Sequence, residues 1–364
     1  MDAAKAKERI KELEAQIRKM PYHKGTEHHI GRLKARIAKL KDEMMGFQAG
    51  KGGGGGRGFS VRKEGDATVV LVGMPSVGKS TLINRLTNAN SKVGHYPFTT
   101  LDVIPGMLDY KGAKIQIFDV PGMISGAASG RAGGKEIISV VRVTDLLILM
   151  ATADDPNFKI MEEELSLAGV RVNEKKPEVI IEKKLRGGIE ITGKPGLSKE
   201  EVISLAQEFR MPNAKIYFKN KLSQDQLIDA FMVNRVYVPA IKVISKIDTL
   251  PKDKQEKLKK KLKRECLFIS AEKNIGIEEL KEIIFSKLNF IRLYLRHDPQ
   301  ARPEPEPMIC PAKITVQEAA AKISQALANQ VKGAKIRGPS SRYPNQFVGP
   351  HHELQDEDQI FFVK

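Results

Sequence analysis

The chain has 364 residues, 41% of them hydrophobic, which is enough for two or three domains with cores of their own. Its 61 Lys and Arg outweigh 44 Asp and Glu, giving a formal net charge of +17, so a polyanionic partner such as RNA is expected. No apolar run approaches the roughly 20 residues of a membrane span. The N-terminus is charged from Asp2 onward, and Cys266 and Cys310 lack metal-site spacing, so a cytoplasmic chain with reduced thiols and no membrane partner is expected.

Residues 1–50 predict a helical hairpin. Ile10, Leu13, Ile17 and Met20 recur at helical spacing, Pro21–Gly25 interrupts them, and Ile30, Leu33, Ile37, Leu40 and Met44 resume the pattern. Thr26 is placed to cap the second helix. Twelve Lys/Arg against seven Asp/Glu line the polar faces, so the hairpin either contacts RNA or is a solvated pair docked on the following domain. Residues 51–67, which take up most of the GKGGGGGRG run, read as a flexible linker.

Residues 68–290 predict a nucleotide-binding α/β domain, because strands and helices alternate. Its first strand, Ala67–Val72, runs into Gly73-Met74-Pro75-Ser76-Val77-Gly78-Lys79-Ser80, which fits the G-x-x-x-x-G-K-[ST] phosphate loop. Such a loop turns backbone N–H groups and a helix N-terminus toward phosphate oxygens. Gly73, Pro75, Ser76, Val77, Gly78 and Thr81 are therefore candidate ligand-binding residues, Lys79 a candidate for the β- and γ-phosphates, and Ser80 a candidate Mg²⁺ ligand.

Tyr96-Pro97-Phe98-Thr99-Thr100 follows and supplies a switch threonine. Thr100 is chosen as the metal ligand; Thr99 is the alternative, and Phe98 and Thr99 join the ligand-binding set. The strand Lys114–Phe118 leads into Asp119-Val120-Pro121-Gly122, a D-x-x-G match in which Asp119 holds Mg²⁺ through water and the Gly122 N–H senses the γ-phosphate. Lys79, Thr100 and Gly122 form the predicted catalytic set; Ser80, Thr100 and Asp119 form the metal set. Five glycines between Gly122 and Gly134 suit a segment that orders on GTP binding.

Between the strands Leu146–Met150 and Ala240–Ile244 lie some 90 residues, far more than a crossover needs. A small α+β insertion, about residues 169–236, is predicted there. It comprises strands at Val170–Val172, Val179–Ile181, Gly188–Ile191 and Ala214–Phe218 and a helix Leu197–Phe209 capped by Ser198. From Gly169 to Lys221 it carries twelve basic and seven acidic residues.

Val238–Asp248 ends in Ser-Lys-Ile-Asp, close to the [NT]-K-x-D guanine motif. The Asp248 carboxylate would accept from guanine N1–H and the 2-amino group, a donor pair that adenine does not offer, and the Lys246 stem would cover the base. Ser245 replaces the usual Asn or Thr, so a side-chain contact that stiffens the loop is expected to be lost. Phe268-Ile269-Ser270-Ala271 supplies the loop that faces guanine O6, with Ser270 and Ala271 as candidates. Lys252–Arg264, eight basic residues against two acidic, predicts a solvated helix with Leu258 and Leu262 turned inward and a face open to phosphate.

Pro303-Glu304-Pro305-Glu306-Pro307 reads as a stiff boundary before a compact module at 303–364. A strand Ile314–Val316, a helix Gln317–Gln330 and strands Gln346–Val348 and Ile360–Val363 are expected within it.

Y-P-F-T-T-L, D-V-P-G-M-I-S-G-A and G-x-G-R-A-G-G-K-E resemble the Obg branch of translation-factor GTPases. G-M-P-S-V-G-K-S, the basic insertion before S-K-I-D and the ending D-E-D-Q-I resemble the developmentally regulated GTP-binding (DRG) proteins, from about Gly46 to Lys364. The resemblance implies a ribosome-associated GTPase with a C-terminal β-grasp TGS domain; a monomer that contacts the ribosome, rRNA or tRNA through its basic surfaces and is open to a regulatory protein partner is expected. Mg²⁺ as cofactor and GTP or GDP as ligand are expected. Met123 stands where many GTPases place the water-orienting Gln, so turnover is expected to be slow. K⁺ or Arg131 is a candidate replacement, although Ser76 stands where cation-activated relatives often have Asn. A constitutive RNA-binding protein with a mainly structural nucleotide site is the alternative reading.

Overall fold

The computed structural model describes residues 3–21, 23, 25–44, 65–87, 104–119, 140–141, 143–232, 234–262 and 265–364. They fall into two compact units. Among the described residues no helix is long and apolar enough to cross a membrane.

One unit takes in 61–121, 143–156 and 241–364. Its larger sheet has six strands in the order β11-β10-β4-β1-β3-β2: β1 (Ala67–Gly73), β2 (Ile104–Tyr110), β3 (Ala113–Asp119), β4 (Leu146–Thr152), β10 (Ala240–Ser245) and β11 (Leu267–Phe268). β1 lies parallel to β3 and β4, with Leu71 beside Asp119 and Gly73 beside Met150. Every residue of ATVVLVG is buried, as a central strand covered on both faces requires. Helix α3 (Lys79–Leu86) covers the sheet with Leu82, Ile83 and Leu86. Gly106 on β2 lets it close in: a Cβ there would meet Thr87 Cγ2 at 2.6 Å and Ile83 Cγ2 at 2.8 Å. The parallel strands deliver the ends of β1, β3 and β10 to one edge, the side where ligands bind in open α/β sheets.

The basic run forms helix α7 (Lys252–Leu262), in which no residue is buried; Leu258 and Leu262 are half-buried. Helix α8 (Ile277–Leu288) packs Ile277, Leu280, Ile284 and Phe285 into the main core.

The second sheet of this unit takes in residues on both sides of the expected boundary. Its order is β13-β12-β16-β14-β15, with β12 (Phe290–Leu295), β13 (Met308–Pro311), β14 (Gly333–Arg337), β15 (Gln346–Val348) and β16 (Gln359–Val363). β12 pairs antiparallel with β13 and parallel with β16, so Pro303–Pro307 is a loop between two paired strands. Ile291 and Leu293 on β12 join its core, while Ile309 on β13 joins the core of the larger sheet. The expected strand Ile314–Val316 is instead a helix start: Thr315 accepts from Glu318 N, Glu318 answers the Thr315 N–H, and the capping box opens α9 (Val316–Ile323). The expected helix Gln317–Gln330 is broken at Ser324, which is extended (φ −162°) and caps α10 (Gln325–Gln330) through Leu327 N.

The other unit takes in 1–60, 122–142 and 157–240. Helices α1 (Ala3–Lys19) and α2 (Glu27–Met44) pair through Ile10, Leu13, Leu33 and Ile37, as the spacing predicts. α4 (Lys159–Leu167) precedes a two-stranded parallel sheet of β5 (Val170–Val172) and β9 (Val236–Val238). Between these strands, β6 (Val179–Lys183), β7 (Ile189–Gly193) and β8 (Ala214–Phe218) form a sheet in the order β6-β8-β7. It is backed by α5 (Lys199–Glu208) and α6 (Gln224–Phe231), each opened by a capping box, at Ser198 and Ser223.

α2 docks on this insertion. Ala35 joins the core of Val202, Leu205 and Leu227. Its cations face insertion carboxylates: Lys34 reaches Asp225 at 2.9 Å, and Arg36 and Lys39 reach Glu208 at 3.3 and 3.7 Å. Beneath them Arg235 bridges Asp42 and Asp229 at 2.8 and 3.1 Å, and Arg171 binds Asp229 with both ends of its guanidinium. Of the two readings of the hairpin, these pairs favour docking for the α2 face that carries Lys34, Arg36 and Lys39.

Candidate nucleotide site

The loop between β1 and α3 is built by two unusual backbone positions and one close contact. Ser76 (φ +63°) and Gly78 (φ +92°) lie in the left-handed region, which reverses the chain so that the helix starts at Lys79. Gly73 serves another end: a Cβ there would lie 2.8 Å from both the Met150 carbonyl and Val77 Cγ2. Pro75 and Ser76 form the exposed bend, and Val77 is buried beneath it.

Three predicted side chains converge at the end of β1 and β3. Lys79, only 9% exposed, donates through Nζ to the Gly73 and Met74 carbonyls at 3.1 and 3.3 Å and stands 4.0 Å from Asp119 Oδ1. The exposed Ser80 donates through Oγ to Asp119 Oδ2 at 3.0 Å. Asp119 is 4% exposed, and its Oδ1 accepts no hydrogen bond among the described residues. A buried carboxylate oxygen without a donor, beside a hydroxyl and an ammonium, is a donor set of hard oxygens that fits Mg²⁺ together with phosphate.

Across from it lies a cavity of about 180 Å³ lined by Gly78, Thr81, Lys246, Asp248, Ser270 and Ala271, among others. The turn after β10 places Lys246 in the left-handed region (φ +56°), and its Nζ donates to the Ser76 carbonyl at 2.8 Å. Asp248 points from a one-turn helix at Ile247–Thr249. The neighbouring Ser270 hydroxyl holds its carboxyl below the usual range, against desolvation and with help from Lys273 Nζ at 3.7 Å. A depressed value keeps this carboxylate an acceptor at neutral pH.

The expected loss of a stiffening contact at Ser245 does not occur. Its buried Oγ lies 2.7 Å from the Val77 carbonyl and 3.1 Å from that of Ala151, so the shorter side chain still ties β10 to the phosphate loop. Sequence reasoning also missed Arg85. Its Nε donates to the Ala271 carbonyl at 2.7 Å and its Nη2 to the Glu272 carbonyl at 3.1 Å. No motif marks it, because its partners are backbone atoms 186 and 187 residues away. Phe98, Thr99, Thr100, Gly122, Met123 and Arg131 lie outside the described residues.

Comparison with known proteins agrees with this arrangement. A family model described as "50S ribosome-binding GTPase" matches residues 68–184, one described as the C-terminal region of that domain matches 186–290, and one for the TGS domain matches 296–364. An uncharacterized GTP-binding protein of Halobacterium salinarum is 42% identical over 365 residues, covering 98% of each chain. Developmentally-regulated GTP-binding protein 1 of Xenopus laevis is 38% identical over 362 residues, and Ribosome-interacting GTPase 1 of Saccharomyces cerevisiae is 36% identical over 365; each comparison again covers 98% of both chains.

Proposed function

This chain belongs to the family of developmentally regulated GTP-binding proteins, and on that premise we propose that it hydrolyses GTP to GDP and phosphate as a ribosome-associated switch in translation. The observation that carries the reading is the convergence of Lys79 and Ser80 on the buried, incompletely bonded Asp119, opposite a cavity holding the ionised Asp248. A merely structural nucleotide site would not need an ammonium and a carboxylate held out of water at the phosphate end.

In this reading Lys79 exchanges the Gly73 and Met74 carbonyls for β- and γ-phosphate oxygens. Ser80 would ligate Mg²⁺ and Asp119 would hold it through water, with Thr100 as the proposed switch ligand. Mg²⁺, when bound, neutralises charge on the β- and γ-phosphates. The backbone N–H groups of the loop and the α3 N-terminus bind phosphate oxygens, and Gly122 senses the γ-phosphate. Asp248 accepts from the guanine N1–H and 2-amino group while the Lys246 stem, pinned to Ser76, covers the base. Met123 offers no amide to orient water, so turnover is slow until K⁺, Arg131 or a partner completes the site.

The yeast relative's name supports the ribosome as partner. With several α2 cations paired to the insertion, the exposed lysines of α7, the basic face of α1, the exposed lysines of the insertion and the C-terminal module are the surfaces we propose to meet RNA. The reading is tested by cosedimentation with ribosomes in GDP, GTP and a non-hydrolysable analogue, beside GTP turnover with and without Mg²⁺. Nucleotide-dependent sedimentation and Mg²⁺-dependent turnover are expected; sedimentation indifferent to nucleotide, with no turnover, would overturn it.

A further inference from the structure

Arg85 sits on the phosphate-loop helix, yet both hydrogen bonds it makes among the described residues go to the loop that lines the base cavity. Nε meets the Ala271 carbonyl and Nη2 the Glu272 carbonyl. The forked guanidinium thereby fixes two successive peptide planes, a task that suits Arg and that a point-charge ammonium performs less well.

The second of these planes continues toward the base. In a trans peptide the carbonyl and the following N–H point in opposite directions. With the Glu272 carbonyl held by Arg85, the Lys273 N–H is turned inward, where it donates to Ser270 Oγ at 3.1 Å. Ser270, 1% exposed, is further held by reciprocal backbone bonds with Ile275 at 3.0 and 2.9 Å. Its hydroxyl shares the cavity lining with Asp248 and helps to lower the pKa of that carboxyl. Arg85, the 272–273 peptide and Ser270 form a series of hydrogen bonds from α3 to the wall of the base cavity, where Ser270 and Asp248 both stand.

We propose that Arg85 is a positioning residue for guanine recognition: through the 272–273 peptide and Ser270 it sets the orientation of Asp248, and so couples the phosphate-loop helix to base selection. The proposal rests on Asp248 reading the base. The 2-amino group of guanine is the second donor to that carboxylate, and inosine lacks it. An Asp248 held in one orientation gains from both donors; a loosened one gains mainly from N1–H. Discrimination between GTP and ITP therefore reports orientation, whereas general loosening of the fold weakens both nucleotides alike.

The test is equilibrium binding of GTP, ITP and ATP to the full chain and to Arg85→Met, Arg85→Lys, Ser270→Ala and the Arg85→Met/Ser270→Ala double variant. Arg85 is exposed, and Met keeps its stem, so the fold is retained. The expected result is a roughly tenfold loss in the GTP/ITP affinity ratio for Arg85→Met (~1.4 kcal/mol), with turnover at saturating GTP little changed. Arg85→Lys should recover part of the ratio, and the double variant should lose no more than the larger single loss, as members of one series do. A wild-type chain that prefers GTP to ATP, with an Arg85→Met variant whose GTP/ITP ratio is unchanged or whose loss adds to that of Ser270→Ala, would overturn the relay alone. A wild-type chain that binds ATP as well as GTP would overturn the assignment of Asp248, and the relay with it.

Discussion

The Ser245 hydroxyl stands 2.7 Å from the Val77 carbonyl, so one side chain joins the strand that delivers the base-reading residues to the loop that cradles phosphate. Its single proton serves two buried carbonyls, those of Val77 and Ala151. Ser245→Ala leaves both without it, at a cost on the order of 1 kcal/mol. Nucleotide affinity is expected to fall about three- to tenfold, read by fluorescent-GDP titration. Wild-type affinity would show that the loop keeps its shape unaided.

Ser80→Ala is the cleanest probe of the phosphate end. Lys79→Ala also removes the ammonium 4.0 Å from the buried Asp119, and an uncompensated buried carboxylate costs several kcal/mol of stability. Ser80 is exposed and uncharged, so its loss removes the metal ligand and leaves the fold intact. Turnover is expected to drop on the order of 100-fold or more, with the melting temperature little changed. Turnover at the wild-type rate would remove Ser80 from the metal site.

Asp248→Asn is expected to weaken GTP binding and to admit xanthosine nucleotides, because the amide offers a donor where guanine presents donors and xanthine an acceptor. The wild-type carboxyl titrates below its ordinary value because the neighbouring Ser270 hydroxyl favours its charged form. Its contribution is therefore present above the ordinary carboxylate pKa and is lost only as the pH falls through the depressed one. The GTP/ATP affinity ratio, in which titration of the shared triphosphate cancels, is expected to stay level until the pH falls to the ordinary carboxylate range. A ratio that fell already between pH 6 and 5 would assign base recognition to another group.

The sequence carried the fold wherever one local pattern decided the outcome. β1 was legible because a fully apolar run meets a glycine-rich loop; α5 was legible because Ser198 and Glu201 spell its capping box. The local pattern decided less where it met a distant one. Pro303–Pro307 looks like a boundary, but the apolar face of β12 upstream has its partners in β13 and β16 beyond it. The Gln317–Gln330 run looks like one helix until the Ser324 side chain takes the Leu327 N–H. At the site, Lys79, Ser80, Asp119, Lys246 and Asp248 were marked by motif. Arg85 and the rescue of the loop contact by Ser245 were not, because both work through carbonyls that any residue would present.

Turnover is expected to depend on the monovalent cation, since Met123 cannot orient the attacking water. The comparison is GTP hydrolysis in K⁺ and in Na⁺ at equal ionic strength, with faster turnover in K⁺. Equal rates would discard the cation and leave Arg131 or a ribosomal group to be tested by substitution and by adding ribosomes.

The C-terminal module is the last proposed determinant of ribosome binding, and the structure changes how it should be removed. A stop at residue 302 would leave β12 without β13 and β16, exposing Ile291 and Leu293 on an unpaired strand that invites aggregation. A stop after Leu288 removes the whole sheet and leaves Lys79, Ser80, Asp119, Asp248 and the Arg85 contacts in place. It also removes Ile309 and Phe290 from the main core, so a lower melting temperature is expected. GDP affinity should remain within about threefold of wild type, because no residue of the module lines the cavity. Ribosome cosedimentation of the full chain should weaken steeply with added salt, as when Lys and Arg displace counterions from phosphate, and the shortened chain should sediment less at every salt concentration. If the shortened chain binds GDP normally and sediments as well as the full chain, docking belongs to α7, α1 or the insertion, and the module has another partner.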